Sequence, residues 1–169
     1  MQFRQAKLDE VDRILEICEE GRQAQLRAGF VQWTEDYPNR EVILADIHSQ
    51  IAWVVDIDGE IAAYTAIHIG TTPEYDAIEG AWHHLEPSIA LHRFAVGDGY
   101  RGKGIAQFMF EQAELLFNTD VNSVIRVDTS EENKAMLALI QKMGYDYCGT
   151  VVYEQGKRLA FDKIIPAKF

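Results

Sequence analysis

The stretch VGDGYRGKGIA, Val96 to Ala106, decides how the rest of the chain is read. It joins an apolar, β-rich run, Ser88 to Val96, to an amphipathic helical run in which Ile105, Phe108, Met109, Ala113, Leu116 and Phe117 form the apolar stripe. Gly97, Gly99, Gly102 and Gly104 crowd the turn between them, more glycine than a plain strand-to-helix connection needs. Glycine lets backbone approach a ligand closely, successive amides can point inward, and a helix N-terminus adds partial positive charge. Arg101 and Lys103 place full charges at the same spot. The turn therefore predicts a phosphate-binding cradle.

Two common phosphate patterns match only in part. Gly97, Gly99 and Gly102 satisfy G-x-G-x-x-G, but a dinucleotide fold places that turn after an early strand of a parallel series, whereas here it lies past the middle behind antiparallel-looking strands. An NAD reading stays open as an alternative. Gly97 with Gly102-Lys103 approaches a P-loop, yet Gly104 stands where a magnesium-holding Ser or Thr is required, which argues against ATP or GTP.

Working outward, Gln2 to Ala6 reads as a strand, and Val11, Ile14, Leu15 and Cys18 begin a helix that extends to Arg27. Gly29 to Arg40 reads as a structured loop carrying Trp33, Tyr37 and Pro38, and Glu41 to Gln50 as helix. Ile51 to Asp56 and Ile61 to Ile69 are strands joined through Asp58-Gly59, a dipeptide suited to the positive φ angles of a tight hairpin. Thr71 to Pro87 reads as an irregular insertion that covers one side of a pocket, with Glu74, Glu79, His83 and His84 on its surface. Ser123 to Asp128 is the next strand. Thr129 and Glu132 have capping-box spacing for a helix that stops at Gly144, and strands near Tyr147 to Tyr153 and Arg158 to Ile164 close the chain around Gly156.

Composition narrows the classes. The chain has 169 residues, 47% of them hydrophobic, which suits a single domain spanning 1–169 with its own core. A formal net charge of −11 opposes nucleic acid as a partner, because that affinity comes largely from Lys and Arg neutralising phosphates. No apolar run reaches membrane-spanning length and the first residues lack a signal-peptide core, so a cytoplasmic protein without membrane attachment is expected. Cys18 and Cys148 have neither metal-ligand spacing nor disulfide density and read as reduced thiols.

Arg101-x-x-Gly104-x-Ala106 resembles the R/Q-x-x-G-x-G/A signature of the GNAT family of N-acetyltransferases. Asn133, in DTSEENKAMLALIQKMGY, stands where that family has an Asn at the start of a later helix, and the order of elements is similar over nearly the whole chain. The resemblance implies an α/β fold with a central, mostly antiparallel, splayed mixed sheet flanked by helices. It implies acetyl-CoA as acetyl donor, no metal, and transfer to a primary amine, on a small molecule or on a protein, by direct attack in a ternary complex. It leaves a homodimer open. Phe94, Ala95 and Val96 would hold the pantetheine arm through their backbone, the amides of Arg101, Gly102, Lys103, Gly104, Ile105 and Ala106 would hold the pyrophosphate, and Asn133 would touch the cofactor.

The catalytic groups are less plain. The Tyr that serves many family members as acid falls here on Ile140, which cannot donate a proton; either a residue such as Tyr145 or Tyr147 approaches the sulfur or the thiolate leaves without a dedicated acid, and since each tyrosine reads first as packing, neither is assigned the role. His92 is the candidate base, two residues before Phe94 and on the same face if the strand alternates regularly. Trp33 and Tyr37 are candidates for the acceptor pocket, although Trp33 and Pro38 could equally pin the loop to the core. Ile140 also keeps open a CoA-binding sensor or assembly module without catalysis.

Overall fold

The computed structural model describes residues 1–168. Its strands are β1 (Gln2–Gln5), β2 (Ala52–Ile57), β3 (Glu60–Ile69), β4 (Glu79–Gly80), β5 (Ser88–Val96), β6 (Ser123–Thr129), β7 (Asp146–Tyr153) and β8 (Gly156–Ile165). Its α-helices are α1 (Val11–Arg27), α2 (Arg40–His48), α3 (Pro73–Asp76), α4 (Ile105–Leu116) and α5 (Lys134–Lys142). Hydrogen-bonded neighbours run β1-β2-β3-β5-β6-β8-β7-β4. The fold is a mixed, mostly antiparallel sheet flanked by helices, as the sequence led us to expect. No helix among the described residues is long and apolar enough to cross a membrane.

The chain divides into two compact units, and β5 contributes its last residues to the first and its opening residues to the second. The first unit holds residues 1–67 and 92–109. Its β2–β3 hairpin turns at Asp58 and Gly59, with φ of 54° and 89°, and β1 lies antiparallel to β2 from Gln2↔Asp56 to Gln5↔Trp53. Strand alternation sends Val54 and Tyr64 to one face, where they meet Ile14, Ile17 and Cys18 of α1 and Ile43 of α2. Val55, Ala62 and Ala63 pack with Ile105 and Met109 of α4 in a second cluster. With apolar cover on both faces, Ile61 through Ile67 form one continuous buried run. Each fully buried isoleucine here contributes about 1.5–3 kcal/mol.

Among the described residues, the second unit holds 68–91 and 110–168. Here β5 runs parallel to β6 from Ser88↔Val124 to Leu91↔Val127, and β6–β8 and β8–β7 are antiparallel. Tyr75, Ala90, Val151 and Ala160 form a core cluster, and the Tyr75 and Tyr153 hydroxyls donate to Asp128 Oδ2 at 2.6 and 3.0 Å.

Three local expectations are corrected. The Thr71 to Pro87 segment is not wholly irregular: it contains α3, capped by the Thr72 side chain accepting from the Tyr75 amide, and β4, which pairs with β7. Thr129 does not cap α5, because it is the last residue of β6 and is paired with Leu159; Asn133 is the cap, its Oδ1 accepting from the Met136 amide at 3.3 Å. On α4, Leu116 is exposed while Phe110 is buried, because the Phe110 ring packs edge-on against Tyr145 at 5.5 Å.

Candidate functional site

Gly97 begins the glycine turn with its amide bonded to the Ala62 carbonyl at 2.8 Å, extending the strand pattern one residue past β5. A Cβ there would lie 3.0 Å from Arg13 Nη2, 3.1 Å from Glu20 Oε2 and 3.2 Å from the Ala62 carbonyl, so a larger residue would have to displace these groups by a few tenths of an ångström. Asp98 to Tyr100 then makes one short 3-10 turn, and Gly102 and Gly104 both take left-handed φ, 72° and 78°, leading into α4. The amides that open α4 lack carbonyls one turn earlier within the helix, which is the standard condition for an anion site.

Helix α1 braces this turn. Glu20 accepts from the Asp98 amide at 2.8 Å and from Arg13 at 3.1 Å, and its carbonyl accepts from Arg101 Nη2 at 3.1 Å. Arg101 also pairs with Asp98 at 3.0 Å, while Lys103 reaches over the Tyr100 ring at 5.8 Å. Residues 101–104 are exposed, so both cations can turn toward a ligand without first being desolvated.

Phe94, Ala95 and Val96 lead directly into the turn. The alternation expected through His92 and Phe94 is broken, because Arg93 between them adopts φ +51°, which swings the strand out of its regular pleat. What holds Arg93 there is a buried partner: its Nε and Nη2 donate to the two Asp46 oxygens at 2.8 and 2.7 Å, and Nη1 donates to the Tyr37 hydroxyl at 3.0 Å. The Tyr64 hydroxyl also donates to Asp46. Burial, then the Asp46 charge, push the Tyr64 phenol above its usual range, so it remains a donor at neutral pH. Sequence reading singled out Tyr37 but missed Asp46, Tyr64 and Arg93. The His92 carbonyl accepts from Thr65 Oγ1 at 2.9 Å.

Asn133 caps α5 and also donates through Nδ2 to Thr129 Oγ1 at 3.2 Å, so its amide is fixed from both sides. Ile140 is fully buried. The Tyr145 hydroxyl donates to Glu114 at 3.4 Å, and burial followed by that carboxylate pushes its pKa up; Tyr147 is exposed and packs on Phe161. Burial pushes the Cys18 thiol up to about 12, which leaves it un-ionised and a poor nucleophile at neutral pH.

In the loop between α1 and α2, Trp33 is buried with α1 and Ala95 and lies against Gly21. Tyr37 instead lines a pocket of about 190 Å³ together with Cys18, Glu19, Arg22, Glu35 and Pro38. The two aromatics thus occupy different environments. A second surprise is His83, expected at the surface: its side chain is half exposed, but Nδ1 lies 2.9 Å from Asp162 and 3.2 Å from the Cys148 sulfur.

Comparison with known proteins bears on the family and the fold. The model of the Acetyltransferase (GNAT) family matches residues 14–145. A GNAT-family acetyltransferase structure from Streptococcus agalactiae is 39% identical, covers 96% of this chain and 94% of its own, and superposes with a TM-score of 0.88. A GNAT-family acetyltransferase structure from Listeria monocytogenes is 17% identical over 96% of this chain and 94% of its own, with a TM-score of 0.72. The uncharacterized N-acetyltransferase YesJ of Bacillus subtilis is 26% identical over 123 residues, 72% of this chain and 68% of the relative.

Proposed function

The chain belongs to the GNAT family of acetyltransferases, and we propose that it transfers the acetyl group of acetyl-CoA to a primary amine by direct attack in a ternary complex. The observation that carries this reading is the turn from Gly97 to Gly104, with its two left-handed glycines, its exposed Arg101 and Lys103, and the opening amides of α4. Those amides and cations suit a pyrophosphate. Phe94 to Val96 would present backbone to the pantetheine arm, and the positive φ of Arg93 supports this by taking the strand out of regular pleating just before them. Asn133 is a further cofactor contact on the family pattern.

Acetyl-CoA supplies the activated thioester. This chain's residues bind and orient it and hold the amine, which must be neutral to attack; attack forms the C–N bond, the C–S bond breaks, and the thiolate leaves with the electron pair. His92 remains the proposed base for the amine proton, directly or through water. Tyr37, at the wall of the pocket beside α1, is proposed to contribute to amine binding, with Glu35 on the same wall as the acidic group for a cationic acceptor, Glu19 being paired with Arg22 at 2.7 Å.

Calorimetric titration with acetyl-CoA, with NAD and ATP as controls, followed by a panel of amines with free thiol monitored, tests the reading. Saturable acetyl-CoA binding and amine-dependent thiol release are expected. Arg101→Glu with Lys103→Glu should weaken binding at least tenfold, and unchanged affinity would remove the pyrophosphate assignment. A second reading rests on Ile140: its burial at the family's Tyr position, with the Tyr145 hydroxyl already bonded to Glu114, favours a CoA-binding module that does not turn over. Binding without thiol release across the amine panel supports it.

A further inference from the structure

We propose that His83, Cys148 and Asp162 form a binding site for one divalent transition-metal ion of the zinc type. One ligand atom from each, an imidazole nitrogen, a thiol sulfur and a carboxylate oxygen, all lie within 4.8 Å of one another. His83 Nδ1 is 2.9 Å from Asp162 Oδ1 and 3.2 Å from Cys148 Sγ. Tetrahedral coordination at ordinary zinc bond lengths needs ligand separations of roughly 3.4–3.6 Å. A few tenths of an ångström of movement by the half-exposed His83 ring brings its two separations into that range. A sulfur and an imidazole select zinc-like ions over calcium or magnesium, which prefer all-oxygen shells.

The sequence separates these residues widely, and the backbone is shaped to join them. β4 crosses β7 with Glu79 against Thr150 and Gly80 against Gly149. A Cβ on Gly80 would strike the Cys148 carbonyl, and one on Gly149 would strike the Glu79 carbonyl, so this approach is open to glycine alone. The Ala81 amide bonds to the Cys148 carbonyl at 3.1 Å, which delivers His83 beside the sulfur two residues later. β7 is irregular between Tyr147 and Gly149, where Cys148 sits.

Asp162 is already oriented for the task. Its Oδ2 accepts from the His83 and His84 amides at 2.8 and 3.2 Å, which fixes the carboxylate so that Oδ1 can exchange its contact with His83 Nδ1 for the ion. Arg126 donates to the His84 carbonyl at 3.1 Å and bears on the Asp162 charge. Binding would release the Cys148 thiol proton to solvent and form a metal–sulfur bond, the thiolate supplying a second negative charge beside Asp162.

Tag-free full-length protein, stripped with chelator and dialysed, should bind Co²⁺ saturably at one equivalent with a thiolate-to-cobalt charge-transfer band, and Zn²⁺ should displace it. His83→Ala should weaken binding about 100-fold or more, and Cys148→Ser should abolish the charge-transfer band. The half-exposed His83 makes the first variant a safe control for folding, checked by its metal-free Tm. Absence of saturable binding, a cobalt spectrum lacking the thiolate band, or wild-type affinity in His83→Ala would each overturn the site.

Discussion

Removing the Asp46 carboxylate should cost about 3–5 kcal/mol of stability, the range for stranding one member of a buried ion pair. Asp46 accepts two bonds from Arg93, at 2.8 and 2.7 Å, with 4% of its surface exposed. In Asp46→Ala the guanidinium keeps only the Tyr37 hydroxyl at 3.0 Å, and Tyr64 loses its acceptor. Two charge-assisted hydrogen bonds at ~1.5–3 kcal/mol each give about 3–6 kcal/mol, which overlaps that range. For a chain of this size the loss corresponds to a Tm lower by roughly 6–20 °C. The exposed pair Arg40–Asp12 makes the contrast, because Asp12→Ala should cost no more than about 1 kcal/mol. In the double variant Asp46→Leu/Arg93→Met no buried charge is left unpaired, so it should be clearly more stable than Asp46→Ala. Urea titration followed by tryptophan fluorescence, with heat scans of all four proteins, reads these differences. A loss below 1 kcal/mol in Asp46→Ala, or a double variant no better than that single one, would refute the reasoning.

Asn133→Ala should lose about 0.5–2 kcal/mol with the cap, whereas Asn133→Asp keeps the Met136 acceptor and should stay close to wild type in heat denaturation. Any loss of acetyl-CoA affinity in Asn133→Asp would then belong to the amide rather than to folding. Glu10 supplies a pH test. Burial raises its pKa, but bonds from Arg4 and from the Lys7 amide outweigh that and hold it below the ordinary 4.5. Folding therefore favours the ionised form; its stabilisation is complete above pH 4.5 and is lost as pH falls through the lower, folded value. The Tm deficit of Glu10→Gln should shrink between about pH 7 and about pH 3, and a deficit independent of pH would sink the assignment.

Features governed by neighbours in sequence were legible before any coordinates. The end of α1 at Arg27, the Asp58-Gly59 hairpin, β5 from Ser88 to Val96 and the stop at Gly144 all follow from local periodicity or from φ angles that glycine and its like supply. The cap of α5 did not follow, because Thr129 and Glu132 have the right spacing but sheet pairing had a prior claim on Thr129. Nor could periodicity find Asp46 for Arg93, 47 residues away, or Cys148 for His83, 65 residues away. Charge in a sequence says nothing about its partner. Arg93 in an apolar strand was the available signal, since a cation there needs a buried counter-ion.

The two-residue β4 has a consequence for how molecules of this protein meet one another. Strand β7 is paired with β8 along one flank and with β4 at only two residues along the other, and an edge of that kind is a template on which another chain can add a strand. Glu79 and Gly80 occupy part of that flank at Thr150 and Gly149, and they are too short to offer a long ladder of their own. The close glycine crossing that brings His83 to Cys148 thus also acts as a guard against edge-to-edge aggregation, which a substitution at Gly80 would weaken by lifting β4 away from β7.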